Sequence, residues 1–197
     1  MTYYFDSAHN ETINNMCHQL DLLMKETYLP GQPIVIMCIG SDRSTGDSLG
    51  PLVGYKLSKF SFENIYIYGS LHQPIHATNL SESINQIQEL HVCPFIIALD
   101  ASLGKKEHIG YITMSIGPLK PGLGVKKKLP EVGDLHITGI VNYSGITDQS
   151  LLQTTRLSTI MTLADIITAV FVNTFLTNAF PYKQQEPVQS YQHLLTS

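Results

Sequence analysis

The stretch Pro33-Ile-Val-Ile-Met-Cys-Ile-Gly40-Ser-Asp42-Arg43-Ser44-Thr45-Gly46-Asp47-Ser48-Leu49-Gly50-Pro51 decides how the rest of the chain is read. Its continuous apolar run, bounded by Pro33 and Gly40, is that of a strand buried on both faces. The glycine-rich turn that follows delivers one acid, Asp47, beside the start of a helix. Pro51 suits a first helical turn, where its missing N–H would have no partner anyway. A second apolar run, Phe95-Ile-Ile-Ala-Leu-Asp100, ends on another acid. In an open parallel sheet, residues at the carboxyl ends of strands face one common crevice. Asp47 and Asp100 are therefore expected to meet there as a pair of catalytic or metal-binding carboxylates.

The bulk composition suits one compact domain. The chain has 197 residues and is 43% hydrophobic, enough for a substantial core. Charged residues are only 14%, well below the roughly 25% of an average soluble domain. A formal charge of -4 with no long basic block leaves no electrostatic footprint for nucleic acid. Cys17, Cys38 and Cys93 are scattered, with no CxxC or Cys/His zinc spacing. They are expected to be buried, reduced thiols of a cytoplasmic protein. The N-terminus shows no signal-peptide pattern. Leu157 to Phe180 is strongly apolar, but Asp165, Asn173, Asn178 and several threonines interrupt it. A buried helix is expected there rather than a membrane span.

Taken in order, Asn10 is placed to cap a first helix over 10–29, whose apolar residues Ile13, Met16, Cys17, Leu20, Leu23 and Met24 recur at spacings of three and four. Strands follow at 34–39 and 65–68, and a helix at 79–90. The strand at 95–99 leads through a turn at 103–106 to a strand at 109–116, expected as its hairpin partner. Residues 117–133, rich in Gly, Pro and Lys, read as an exposed loop. A last strand near 135–141 precedes a long helix from about 150 to 178, stopped by Pro181. Strands alternating with helices indicate an α/β sandwich with a mostly parallel sheet. The expected organisation is a single α/β domain over 1–180, with a core at 33–178 and a flexible polar tail at 181–197.

Several chemistries compete for the glycine turn. It lacks both GxxxxGK[ST] and GxGxxG. Anion binding by loop amides, helped by Arg43, would be opposed by the acid in the same loop. Gly46-Asp47-Ser48-Leu49 spells the GDSL of serine lipases and esterases, whose nucleophile needs a histidine base, typically from a DxxH near the C-terminus. The only DxxH here is Asp6-Ser-Ala-His9, at the wrong end, which leaves Ser48 a poor nucleophile. Two carboxylates offer more. If close together they cannot both ionise freely, so the pair can share a proton. One then draws a proton from water while the other protonates the leaving amine. Alternatively both stay ionised and hold a divalent metal, with His136 as third ligand. Either acid alone could equally cap a helix or a turn. His72 and His76 flank Pro74 and fit a structured loop at the crevice rim. Lys126, Lys127 and Lys128 form a basic loop that is either simply solvated or attracts substrate.

The segment from Gly40 to Pro51 resembles that of the sporulation-associated YyaC family, whose members are described as candidate spore proteases. Tyr68-Gly-Ser-Leu-His-Gln-Pro-Ile-His76-Ala-Thr-Asn-Leu80, Ile97-Ala-Leu-Asp100-Ala-Ser, Gly117-Pro-Leu-Lys-Pro-Gly-Leu-Gly124 and Gly133-Asp-Leu-His-Ile-Thr-Gly-Ile-Val-Asn142 match it too. More distantly, Thr45, Asp47, Leu49, Gly50 and Pro51 match the TxDxLGP of the germination protease that degrades small acid-soluble spore proteins. Asp100-Ala101 matches the second acid of that enzyme. The hydrogenase-maturation endopeptidases look similar as well. There a Glu, an Asp and a His read nickel, and Asp47, Asp100 and His136 would stand in those places.

These resemblances imply a three-layer α/β/α sandwich of the hydrogenase-maturation-peptidase type, and a sporulation-associated endopeptidase with Asp47 and Asp100 as its catalytic pair. Arg43, Thr45, His72, His76 and Lys126 are the candidate substrate-binding residues. A divalent metal on Asp47, Asp100 and His136 is the one cofactor the pattern admits. The implied partner is a protein or peptide, such as a spore protein, in the cytoplasm of the sporulating cell or forespore. Two alternatives stay open: a metal-dependent peptidase of the maturation type, and a non-catalytic binding or assembly factor built on the same fold.

Overall fold

The computed structural model describes residues 1–121, 129–144 and 152–177. Its strands are β1 (Thr2–Asp6), β2 (Ile34–Cys38), β3 (Ile65–Tyr68), β4 (Phe95–Gly104), β5 (Tyr111–Ile116) and β6 (Leu135–Tyr143). Its helices are α1 (Thr12–Thr27), α2 (Leu49–Leu57), α3 (Leu80–Leu90) and α4 (Leu157–Val172). All six strands join one sheet in the order β1-β5-β6-β4-β2-β3. The run β6-β4-β2-β3 is parallel, while β5 is antiparallel to both its neighbours. The chain is an α/β sandwich with a mostly parallel sheet, as its alternating pattern predicts.

β2 is buried at every residue because helices cover both faces of the sheet at its centre. Ile34, Ile36 and Cys38 pack with α1, α2 and α4 on one side. Val35, Met37 and Ile39 pack with Leu80 and Ile87 of α3 on the other. Each such side chain taken fully out of water contributes roughly 1.5–3 kcal/mol. The stretch Leu157–Leu176 is long and apolar enough to cross a membrane. Its residues Ile160, Leu163, Ile167, Val170 and Phe171 are instead part of the core beside α1 and α2. On the helix's other side, Asp165 pairs with Lys56 of α2 at 2.7 Å.

Several expectations need correction. β1 has no counterpart in the sequence reading, although Thr2-Tyr-Tyr-Phe-Asp6 does alternate, with Tyr3 and Phe5 turned to the core. Asn10 caps nothing: the position before α1 is Glu11, and Thr12 ties the helix start to β1 through its hydroxyl to the Asp6 carbonyl. β4 runs on to Gly104, so Asp100 lies within a strand rather than at its end. β5 does not pair with β4. β6 lies between them, because a parallel partner can reach β4 from the far end of the chain while the following segment folds outward. α4 starts at Leu157, after an extended Arg156, not near 150. Cys93 is exposed and Cys17 only partly buried; Cys38 alone is fully enclosed. In the 117–133 loop, Leu119 and Val132 are buried and form a bridge. The expected tail at 181–197 lies outside the described residues.

Candidate functional site

The turn between β2 and α2 is built by close backbone contacts. Gly40 has φ +137°, and a Cβ there would collide with the Asp47 carbonyl. Only glycine adopts that conformation without strain. The Gly40 amide donates to the Ile75 carbonyl at 2.7 Å, and the Ser41 amide to the Asp47 carbonyl at 3.0 Å. The loop then closes as a 3-10 turn, Thr45–Ser48, that runs straight into α2. Gly50 lets α2 lie against the end of β2, since a Cβ at that position would meet the Ile39 carbonyl. Asp47 is thereby held, half-buried, at the carboxyl end of the parallel strands.

Asp100 reaches the same region from β4. It is only 8% exposed, and alternation along the strand puts it on the face of Ile96 and Ala98, with α3. Its Oδ1 accepts a hydrogen bond from the Ala101 amide at 2.8 Å. The charge of Asp47 acts on Asp100. Burial pushes Asp100 well above its ordinary value, and the charge of Asp47 pushes it further, against the Ala101 hydrogen bond. Burial also pushes Asp47 up, to about 6, with a hydrogen bond from the Ser41 backbone pulling the other way. Removing charge from water and placing like charges together both favour the protonated form. The pair can therefore hold one proton near neutral pH, the more buried Asp100 keeping it.

The other candidate residues are distributed unevenly around this pair. His136 sits on β6, opposite Ala98 and two residues short of Thr138, the residue opposite Asp100. Its Nδ1 lies 2.8 Å from the Gly117 carbonyl. Among the described residues, no three His, Cys, Asp or Glu side chains come together as ligands for a metal ion. The expected Asp47–Asp100–His136 triad is not assembled, because His136 is one step further down the sheet and turned to the Gly117 backbone. Two carboxylates without a third protein ligand do not fit a nickel- or zinc-type centre. Arg43 is exposed in the same loop as Asp47, and Thr45 begins the 3-10 turn. His72 is exposed and meets the Tyr55 ring edge-on at 5.9 Å. His76 is half-buried, with Nδ1 2.9 Å from the Thr78 hydroxyl. The bridge between Ile39 and Ile75 brings its segment beside the Gly40 turn. Lys126 lies outside the described residues.

Ser48 is buried, and its hydroxyl donates to the Thr45 carbonyl at 2.7 Å. It closes the turn and is not presented as a nucleophile, which removes the structural basis for a GDSL esterase. Sequence reasoning missed a row of hydroxyls beside Asp100. Thr138 lies directly opposite it on β6, and Thr113 lies opposite Thr138 on β5. Thr138 Oγ1 is 2.7 Å from Thr113 Oγ1 and accepts from Ser102 Oγ at 3.1 Å. The signal was present in the polar alternation of β6, Leu135-His-Ile-Thr138, but it becomes meaningful only once β6 is known to flank β4.

A family described as "Protein of unknown function (DUF1256)" matches residues 2–170. The chain is 54% identical over 137 residues to the uncharacterized protein YyaC of Bacillus subtilis (strain 168), a match covering 70% of this chain and 67% of that protein. Among solved structures, the [NiFe] hydrogenase maturation protease HycI from Thermococcus kodakarensis KOD1 is similar over 79% of this chain and 99% of that one, with 15% identity and a TM-score of 0.44.

Proposed function

The chain belongs to the DUF1256 family, together with the YyaC protein of Bacillus subtilis, and from that premise we propose that it is an endopeptidase using Asp47 and Asp100 as a proton-sharing pair. One observation carries the reading: two carboxyls from different elements are both raised by burial, and the charge of one acts on the other. Carboxyl pairs whose environments push their proton affinities apart divide naturally into a base and an acid. Asp47, raised only to about 6, is the carboxylate at neutral pH and takes a proton from the attacking water. Asp100 keeps its proton until it gives it to the departing amine, and the proton that Asp47 took from water then passes to Asp100, which restores the starting pair.

The substrate in this proposal is a protein made during sporulation, and the setting is the cytoplasm of the sporulating cell or forespore. Both follow from the resemblance to the spore-protease families. The test incubates the purified chain, Asp47→Asn and Asp100→Asn with protein extracted from sporulating cells, and maps new N-termini by mass spectrometry. New termini from the parent that neither variant produces are expected. Identical termini from all three proteins sink the pair. A stable complex with an uncut protein would point instead to a binding or assembly factor.

A further inference from the structure

We propose that the free edge of β3 is a binding site for an extended, uncharged polypeptide segment, taken up as a seventh strand of the sheet. β3 ends the strand order and, among the described residues, pairs only with β2. An edge strand presents a row of unpaired backbone N–H and C=O groups, and proteins commonly blunt such edges with charges, proline or bulges. Ile65-Tyr-Ile-Tyr68 carries none of these, and Tyr66 is 41% exposed. At the other edge of the sheet, β1 ends on Asp6.

The space beside the carboxyl-terminal half of this edge is recessed. A cavity of about 600 Å³ runs beside Ile67, Tyr68 and the loop from Gly69 to His76, with Ser58 at the end of α2 forming one wall and Ser83 and Gln86 of α3 the other. α2 belongs to one face of the sheet and α3 to the opposite face. A trough with a strand edge as its floor and a helix on either side admits a single extended chain. Main-chain hydrogen bonds then supply affinity, and the walls read alternate side chains. The lining contains no Asp, Glu, Lys or Arg, and its one imidazole, His76, is half-buried with Nδ1 against the Thr78 hydroxyl. Its hydroxyl and amide groups match the amides and neutral polar side chains of a peptide. A cationic side chain would be desolvated there with no carboxylate to meet it, and an anionic one with no Lys or Arg. β3 is parallel to β2 and β4, so a chain lying along it runs toward the carboxyl end of the sheet, with the Ile75 segment between it and the Gly40 turn.

This site rests on the peptidase reading for its purpose, but binding itself needs neither aspartate. The probe is a fluorescent library of short peptides built from Ser, Thr, Asn, Gln and Val in random order. A matched library with Asp and Lys in place of Asn and Gln is the comparison. Anisotropy is measured on the full chain and on Asp100→Asn, and amide hydrogen exchange locates the bound peptide. Expected are saturable binding of the neutral library to both proteins and new protection confined to residues 65–70. Ser83→Arg, which fills one wall, weakens it at least about tenfold. Gln86→Arg, on the exposed side of α3, serves as a second variant if Ser83→Arg does not fold. Binding unchanged in the folded wall variants, a preference for the charged library, or protection elsewhere overturns the site. So does self-association that protects 65–70 without any peptide, because the occupant would then be a second copy of the chain. Cleavage read separately keeps the two ideas apart. Peptide bound at β3 but never cut leaves the site standing and removes the peptidase, whereas cutting at an undiminished rate by the wall variants does the reverse.

Discussion

Asp47 and Asp100 are close enough for the charge on Asp47 to raise the proton affinity of Asp100, although they come from a β2–α2 turn and from the interior of β4. A lone buried carboxyl is readily explained as a cap. Two that oppose each other's ionisation are harder to keep for structure alone, since each adds to the other's cost of charging.

The pair makes a definite statement about pH. In the proposed mechanism, cleavage needs Asp47 ionised and Asp100 protonated. kcat/KM is therefore expected to rise as pH passes through about 6, where Asp47 loses its proton. It falls again at higher pH as Asp100 loses its own. A pH profile of peptide cleavage that stays flat from about pH 5 to about pH 8 contradicts the assignment.

The same shift affects stability, with the sign opposite to that of a salt-bridged acid. Between its ordinary 3.8 and about 6, Asp47 holds its proton in the native state when the unfolded chain has released it. Stability then falls as pH rises across that window and stays lower above it. Asp47→Asn is expected to be more stable than the parent at neutral pH, by up to about 3 kcal/mol. The difference should vanish once both states are protonated, below 3.8. Urea melts at the two pH values check this, and equal stability at neutral pH would show that Asp47 is ionised without cost.

Ser48→Ala separates the carboxyl pair from serine chemistry. The lost hydrogen bond to the Thr45 carbonyl costs about 1 kcal/mol. Cleavage should stay within about twofold of the parent, since the hydroxyl takes no part in it. An alanine variant that folds and has lost all hydrolysis would bring back the esterase.

His136→Ala tests whether the histidine belongs to the site. It releases the Gly117 carbonyl and should lower stability by about 1 kcal/mol. The pH dependence of cleavage should keep its shape, because the ring is not part of the proton-sharing pair. A displaced acidic limb would place His136 in direct communication with Asp47 or Asp100.

Gly50→Ala probes the packing that carries Asp47. The added Cβ meets the backbone carbonyl of Ile39, which cannot swing aside as a side chain would. A loss of roughly 3 kcal/mol or more is expected in chemical denaturation. A variant as stable as the parent would mean that α2 is not seated on β2 as described.

Much of the fold is legible in the sequence. β2, β3, α3 and the first part of β4 announce themselves through apolar runs and punctuation by Gly and Pro, because short-range burial writes its period into the chain. The first acid was legible too, since Gly40, Gly46 and Gly50 around Asp47 mark a turn whose backbone has to come close. β1 was not, because Tyr3 and Phe5 bury only by pairing with β5, from the other half of the chain. The hairpin expected between β4 and β5 fails for the same reason. Strand order depends on which partner offers the better-covered edge, and adjacent segments carry no record of that.

By itself, the sequence determined that this protein is an α/β sandwich, that one acid follows a buried strand while another closes a second apolar run, and that the GDSL tetrapeptide lacks its histidine. Those properties reside in local periodicity and residue type. Only the tertiary structure decided that Asp100 lies inside a strand, that Asp47 acts on it, that His136 sits apart, and that β3 is left with an open edge. Each depends on strand order and on how much water the folded chain excludes at one point, quantities that arise from contacts between residues far apart in the chain.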